Sequence, residues 1–179
     1  LAEVWGAPNK IPKGGVVLMH GCGGYNGGNI RDWAELFVAR GYVAIGIDSF
    51  STRGIDNTCN GGKVLMRVGD AYAGAKQLVE KYNVEPAKLV LMGFSHGGIT
   101  TNLALNRQIL DQYSRHIGDT GKFAVGVSLY PFCFNTERAP DFYSPVTIVI
   151  GLKDDWTPPR GCTFWRDNQN PDSAPLEVN

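Results

Sequence analysis

The sequence has no excess of charge of either sign, no long apolar run and no internal repeat. Lysine plus arginine and aspartate plus glutamate both number 17, so the formal net charge is zero, which argues against nucleic acid and an acidic membrane surface as partners. No apolar run approaches the roughly 18 residues that cross a bilayer, and no signal-like segment opens the chain. What is left is the composition of a globular protein, 43% hydrophobic in 179 residues, which suits one domain with a real core.

Cysteine is also scarce, and its spacing argues against two further kinds of site. The four cysteines are Cys22, Cys59, Cys133 and Cys162, and no two of them form a C-x-x-C pair. Zinc binding and thioredoxin-like chemistry are therefore not predicted, and neither a metal nor an organic cofactor is implied. An even number of cysteines permits three disulfide pairings, and four buried free thiols are the alternative.

Strand and helix patterns alternate along the chain. Apolar strands are predicted at 16–19, 42–47, 89–92, 123–129 and 146–150, with one more beginning at 176. Helices are predicted at 30–40, 64–82 and 99–107, with shorter ones after 110 and at 162–168, while residues 1–15 are predicted to be a loop or an edge piece. This alternation predicts an α/β domain with a mainly parallel sheet flanked by helices.

One motif organises the rest of the chain. Gly93-Phe94-Ser95-His96-Gly97 fits G-x-S-x-G and lies between an apolar strand and a predicted helix, the context of a nucleophile elbow. Ser95 is the predicted nucleophile, and the backbone N–H of His96 is the predicted first donor to an oxyanion. The alternative interpretation is a glycine-rich turn that contains an incidental serine.

The loops after parallel strands meet at one edge of the sheet, where α/β proteins bind ligands. The loop after the first strand should supply a second oxyanion donor, the N–H of Cys22 or alternatively that of Gly23. The carboxylate that orients a catalytic base should follow a later strand, which favours Asp154, with Asp155 as the fallback. A pair of aspartates that only caps the turn remains an alternative.

No histidine fits the role of the base. The ring of His96 should point away from the serine oxygen, His20 is expected to hydrogen-bond its own loop, and His116 lies in a polar segment that is expected to be solvated. A hydrolase base follows the acidic residue and one more strand. We therefore expect that residues 1–179 are a single domain truncated at its C-terminus, lacking a strand and a helix, with the base histidine beyond residue 179.

Five segments in register resemble the dienelactone hydrolase family of α/β-hydrolases. They are LMHGCGG at 18–24, DSFSTRG at 48–54, MGFSHGG at 92–98, LYPFC at 129–133 and IGLKDDWTP at 150–158. The resemblance implies the α/β-hydrolase fold, Ser95 as nucleophile, Asp154 as the acid and a downstream histidine. The enzyme that names the family has a cysteine nucleophile where this chain has Ser95, and this difference favours a more general esterase.

The resemblance also implies roles for residues in the neighbouring loops. Arg53 matches an arginine that binds a substrate carboxylate, and the alternative is that it pairs with Asp48 or Asp56 to hold its loop. Aromatic residues that fall near the same edge are expected to line an apolar pocket or to pack there. They are Tyr25, Phe50, Tyr130, Phe132 and Trp156.

The α/β-hydrolase strand order further implies two disulfides. It makes the strands that end at Met19 and Ile47 neighbours, and likewise the strands that end at Leu129 and Ile150. The implied bridges are Cys22–Cys59 and Cys133–Cys162, which would place the protein in the periplasm or outside the cell rather than in the cytoplasm.

The sequence therefore predicts a serine hydrolase that cleaves a small ester or lactone through an acyl-enzyme on Ser95. One rival is a non-catalytic α/β-hydrolase-like binding protein that keeps the elbow and lacks the base. Another is a peptidase or acyltransferase on the same scaffold. The sequence makes no prediction of the oligomeric state.

Overall fold

Seven strands form one sheet in the computed structural model, which describes residues 1–6, 11–25, 27–117, 121–134 and 138–179, without the side chains of 27–28 and 114–117. The strands are β1 (Ala2–Trp5), β2 (Gly15–Met19), β3 (Val43–Ile47), β4 (Leu89–Phe94), β5 (Val125–Leu129), β6 (Val146–Val149) and β7 (Leu176–Val178). Within these described ranges, five helices connect them: α1 (Gly27–Val38), α2 (Val64–Tyr82), α3 (His96–Ala104), α4 (Arg107–Ile117) and α5 (Arg160–Asp167). Short 3₁₀ turns occur at Ser51–Arg53 and Pro86–Lys88.

The strand order is β1-β3-β2-β4-β5-β6-β7, and every neighbouring pair is parallel except β1 with β3. The predicted mainly parallel sheet is therefore confirmed, including the two pairs of neighbouring strands on which the disulfide predictions depend. β1, predicted to be a loop or an edge piece, is an antiparallel edge strand. Four residues are too few to show a strand period, and pairing with β3 is a long-range contact.

The core lies on both faces of the sheet because adjacent residues of a strand point to opposite sides. Val17 and Met19 of β2 share one buried cluster with residues of α2, while Val16 and Leu18 share another with Ile30 of α1. Continuous burial on both faces explains why β2 and β3 read as unbroken apolar runs in the sequence. The carboxyl ends of these strands carry the loops that form the site.

Both predicted disulfides are present. The Cα atoms of Cys22 and Cys59 are 4.8 Å apart, and those of Cys133 and Cys162 are 5.1 Å apart, within the usual range. None of the four cysteines is free, so the alternative of buried free thiols is wrong. Two disulfides are typical of periplasmic or secreted proteins.

Among the helices in the described ranges, none is long and apolar enough to span a membrane.

Candidate active site

Ser95 lies at the sharp turn between β4 and α3. Its backbone has φ 52° and ψ −114°, a conformation that residues with side chains rarely adopt. Its N–H donates to the carbonyl of Leu129 at 2.8 Å, and its own carbonyl accepts from the N–H of Ile99 at 3.0 Å. The neighbouring strand and the first turn of α3 thus hold the strained residue from both sides, which is the geometry of a nucleophile elbow.

Glycines make this turn possible by allowing three backbones to approach. A side chain on Gly93 would collide with the backbone of Gly97, and one on Gly97 would collide with the carbonyl of Met19 at the end of β2. A Cβ atom built on Gly21 would lie 3.8 Å from the Cβ of Ser95. The loop after β2 therefore runs directly beside the serine.

A cavity of about 330 Å³ opens at Ser95. Its lining includes several of the predicted site residues, namely Cys22, Ser95, His96, Phe132 and Trp156. His96 is the first residue of α3, so its N–H belongs to the group that has no acceptor within the helix. The positive end of the helix dipole points at the same space, where negative charge would be stabilised.

His20 is buried, and both of its ring nitrogens are engaged. The backbone N–H of Ser49 donates to Nε2 at 3.3 Å, so Nδ1 carries the proton and donates to the carbonyl of Gly21 at 2.7 Å. Burial first, and then the charge of Arg67, lower the pKa of His20 to about 4. As predicted, this histidine hydrogen-bonds its loop, and it is not placed to accept a proton from Ser95.

His96 is engaged in the same way. A guanidinium N–H of Arg67 donates to Nδ1 at 2.6 Å, and Nε2 then donates to the carbonyl of Gly62 at 2.9 Å. Burial and the charge of Arg67 lower the pKa of His96, so its ring is neutral and unavailable to the serine. The side chain of His116 lies outside the described residues.

Asp154 lies in the turn after β6, and its carboxylate is fixed by three donors. Oδ1 accepts the N–H groups of Trp156 at 3.0 Å and Thr157 at 2.7 Å, and Oδ2 accepts the Thr157 hydroxyl at 2.8 Å. The hydrogen bonds from Thr157 lower the pKa of Asp154, which keeps it ionised. Trp156 and Thr157 both line the cavity at Ser95, while Asp155 is simply exposed.

Arg53 is not part of this cavity. Its guanidinium forms two hydrogen bonds to the carboxylate of Asp70, at 2.9 and 2.7 Å, and one to the carbonyl of Ser49 at 2.7 Å. It therefore holds its loop, but through Asp70 on α2 rather than through Asp48 or Asp56. The sequence could not reveal this partner because the two residues meet only when α2 packs on the sheet.

Tyr25 also lies away from the cavity at Ser95. Its hydroxyl donates to Glu3 of β1 at 3.1 Å, so it belongs to the edge of the sheet rather than to the predicted pocket. Phe50 is 1% exposed and packs against the ring of His20. Of the predicted aromatic residues, Phe132 and Trp156 line the cavity at Ser95, and Tyr130 lines a second one of about 260 Å³ beside His20.

Sequence reasoning missed Arg67. The buried face of α2 consists of Arg67, Val68, Ala71, Tyr72, Gly74, Ala75 and Leu78. An arginine in register with these apolar positions was the signal that could have found it.

The strand order, the elbow at Ser95 and the acidic turn at Asp154 together define an α/β-hydrolase. A model of the prolyl oligopeptidase family matches residues 33–133, more than half of the chain, and the chain belongs to this family. The dienelactone hydrolase family that the motifs resemble is not the family of this match. No curated protein sequence matches the chain.

Solved structures similar to this chain include several of esterase 2 from Thermogutta terrifontis. The propionate-bound form has 17% identity and a TM-score of 0.75, with 99% of this chain and 76% of that chain covered. The butyrate-bound form has 16% identity and a TM-score of 0.73, covering 99% and 77%. The form phosphorylated by paraoxon has 17% identity and a TM-score of 0.72, covering 99% and 75%. At this identity the likeness shows a shared fold.

Proposed function

We propose that this protein is a serine hydrolase of the dienelactone hydrolase type, cleaving a small ester or lactone through an acyl-enzyme on Ser95. The observation that carries the proposal is the backbone of Ser95, with φ 52° and ψ −114° beside an open cavity. Strain of this kind costs about 1–3 kcal/mol and occurs mainly at functional sites. A turn that served only to connect β4 to α3 would not need it.

The proposed mechanism gives each residue one role. The hydroxyl oxygen of Ser95 attacks the carbonyl carbon of the substrate. The resulting oxyanion accepts hydrogen bonds from the backbone N–H groups of Cys22 and His96. The proton of Ser95 passes to a base histidine, which then gives it to the leaving alcohol as the acyl-enzyme forms. Water hydrolyses the acyl-enzyme with the same histidine as base.

The base is the part that these 179 residues leave open. The two histidine rings that the structure describes, His20 and His96, are both engaged elsewhere. In keeping with the family resemblance, we place the base beyond residue 179 and assign Asp154 to orient it. The fixed, ionised carboxylate of Asp154 suits this role because it stabilises the imidazolium that forms.

The cavity favours a small, neutral substrate. Ile99, Phe132, Phe134 and Trp156 supply apolar surface, and none of the described residues that line the cavity at Ser95 is an arginine or a lysine. A dienelactone carries a carboxylate that would find no cationic partner there, whereas a short-chain ester needs none. Esterase 2 of the same fold is known bound to propionate and butyrate, and we propose acyl groups of this size.

The family match supports a second candidate, a peptidase. A prolyl oligopeptidase-type enzyme would use the same elbow on an amide bond. Comparing p-nitrophenyl butyrate with peptidyl p-nitroanilides separates the two, since an esterase of the kind proposed cleaves the first and leaves the second intact.

Labelling with a fluorophosphonate tests the nucleophile directly. We expect the protein in its full natural length to form one adduct, located at Ser95 by mass spectrometry, and the adduct to disappear in Ser95→Ala. Ser51→Ala, at an exposed serine near the same edge, is the matched control and should be labelled normally. An unlabelled wild-type protein would support the rival interpretation as a non-catalytic binding protein.

A further inference from the structure

Arg67 is a fully buried arginine that bonds two groups beside the candidate site, and the proposed mechanism does not use it. It lies in the first turns of α2, and its side chain is 0% exposed. One guanidinium nitrogen donates to the carbonyl of His20 at 2.6 Å, and the other donates to Nδ1 of His96 at 2.6 Å. One side chain therefore connects the loop after β2 to the nucleophile elbow.

This cation is costly to bury. In the part of the chain that the structure describes, no carboxylate lies within ion-pair distance of Arg67, and the nearby Asp70 is bonded to Arg53 instead. Among the described residues, the Nε of Arg67 has no hydrogen-bond partner, although the centroid of the Phe50 ring lies 5.1 Å from the guanidinium carbon. Burial lowers the pKa of Arg67 to about 10, so it stays charged at neutral pH. If this position of α2 served only to fill space, an apolar residue would fill it without the free-energy cost of burying a charge.

The two groups that Arg67 binds are next to the two proposed oxyanion donors. The carbonyl of His20 precedes Gly21, and the ring of His20 in turn donates to the carbonyl of Gly21. That carbonyl and the N–H of Cys22 belong to the same peptide group. Holding His20 by its backbone and its ring therefore fixes the direction in which the Cys22 N–H points.

The second hydrogen bond of Arg67 holds the nucleophile elbow. His96 supplies the other proposed donor through its backbone N–H, and its ring is held between Arg67 and the carbonyl of Gly62. A ring fixed at both nitrogens prevents the first residue of α3 from rotating. Arg67 thus reaches both sides of the oxyanion hole from a single helix.

We propose that Arg67 is a positioning residue that holds both backbone donors of the oxyanion hole in register, through His20 on one side and His96 on the other. This inference rests on the function proposed above. Its consequence is kinetic, because misplaced donors stabilise the transition state less while the substrate still enters the same cavity.

Kinetics of Arg67→Met and Arg67→Lys in the full-length protein test this proposal. Methionine fills a similar volume without charge, and we expect kcat on p-nitrophenyl butyrate to fall about 100-fold while KM changes little. Lysine keeps the charge but lacks the planar fork that matches the two acceptors, so kcat should fall less. Arg40→Met is the matched control, since the exposed side chain of Arg40 donates to the carbonyl of Leu36 on α1, away from the site.

A histidine titration by NMR supplies a readout that does not depend on catalysis. Two carboxylates influence these residues through their charge: Asp48 after β3 acts on His20, and Asp70 on α2 acts on Arg67. Both remain in Arg67→Met, where the pKa values of His20 and His96 should rise because a repelling cation is gone. In Arg67→Lys they should stay low.

The outcomes separate this inference from the proposed function. An active wild-type protein with an equally active Arg67→Met variant overturns the role of Arg67 and leaves the esterase intact. If Arg67→Met does not fold, wild-type kcat in Arg67→Lys overturns it instead. A wild-type protein that neither hydrolyses esters nor reacts with a fluorophosphonate overturns the proposed function and this inference with it.

Discussion

The two disulfides close loops of similar length but lie in different surroundings. The cysteines are 37 residues apart in one and 29 in the other, so the chain-entropy model gives each about 3–4 kcal/mol. Cys133 is 4% exposed and Cys162 is 0% exposed, whereas Cys59 is exposed and Cys22 is half-buried. Cys22 and Cys59 line the cavity at Ser95, and the other pair does not.

Because of this difference in surroundings, one disulfide should affect stability alone and the other should affect activity as well. The Cys22–Cys59 bond ties down the residue whose N–H is proposed to bind the oxyanion, and the N–H of Thr58 also donates to the carbonyl of Cys22 at 2.9 Å. The Cys133–Cys162 bond instead fastens α5 to the loop after β5. The proposed acid near that end, Asp154, is held by Thr157 and not by the disulfide. Two bonds of nearly equal entropic value should therefore have unequal effects on catalysis.

Removal of the buried disulfide should give the largest loss of stability without a loss of chemistry. We expect Cys133→Ala with Cys162→Ala to lower the free energy of unfolding by about 3–4 kcal/mol, measured by urea denaturation. At a temperature where the variant is folded, kcat should stay near the wild-type value. A variant that is stable but has lost its activity would show that α5 positions the site.

Removal of the exposed disulfide should cost activity as well. Cys22→Ala with Cys59→Ala frees the loop that carries the proposed donor, and we expect kcat to fall about 10–100-fold, or about 1.4–2.7 kcal/mol. The measurement is the hydrolysis of p-nitrophenyl butyrate by the folded variant.

Partial reduction of the wild-type protein is the control for that loss. Thiol–disulfide exchange requires access to a sulfur atom, so limiting dithiothreitol should open Cys22–Cys59 before the buried pair. Activity should then fall as the unfolding transition makes its first shift, because this bond also contributes about 3–4 kcal/mol. Opening of the buried pair should shift the transition again without a further loss of activity, and activity lost only at that second step would remove the distinction between the two bonds.

The fold was largely predictable because its signals are local. The apolar runs of β2 and β3 and the period of α2 are properties of short segments, and G-x-S-x-G between a strand and a helix identified the elbow at Ser95. The disulfide pairs were predictable only through the strand order of a resembling family. That order brings Cys22 above the same two strands as Cys59.

Directions of side chains were not predictable in the same way. Arg53 and Tyr25 follow the correct strands, yet Asp70 and Glu3 bind them away from the cavity. These partners come from α2 and β1, and no local pattern indicates which residue of another element will face a loop. Arg67 was missed for a different reason. A charged residue on a helix is usually interpreted as a surface residue, and only the packing of α2 shows that this face is buried.

The smallest expected effect concerns the proposed acid, Asp154, which is held by hydrogen bonds rather than by a disulfide. Thr157→Val removes the hydroxyl donor to Asp154 and keeps the two backbone donors, so the pKa of Asp154 should rise toward its ordinary value.

A carboxyl group with a lowered pKa stabilises the fold above its unfolded pKa of about 3.9, and that stability is lost as the pH falls through the folded pKa. Wild type should therefore exceed Thr157→Val in unfolding free energy by a constant amount at neutral pH and by a shrinking amount below about pH 4. Urea denaturation from pH 7 to pH 3 measures this difference, and Thr163→Val, which loses a hydroxyl that donates to the backbone carbonyls of Pro159 and Arg160, should show no such dependence. A pH-independent difference for Thr157→Val would mean that packing around Thr157, rather than its hydrogen bond to Asp154, anchors the acid side.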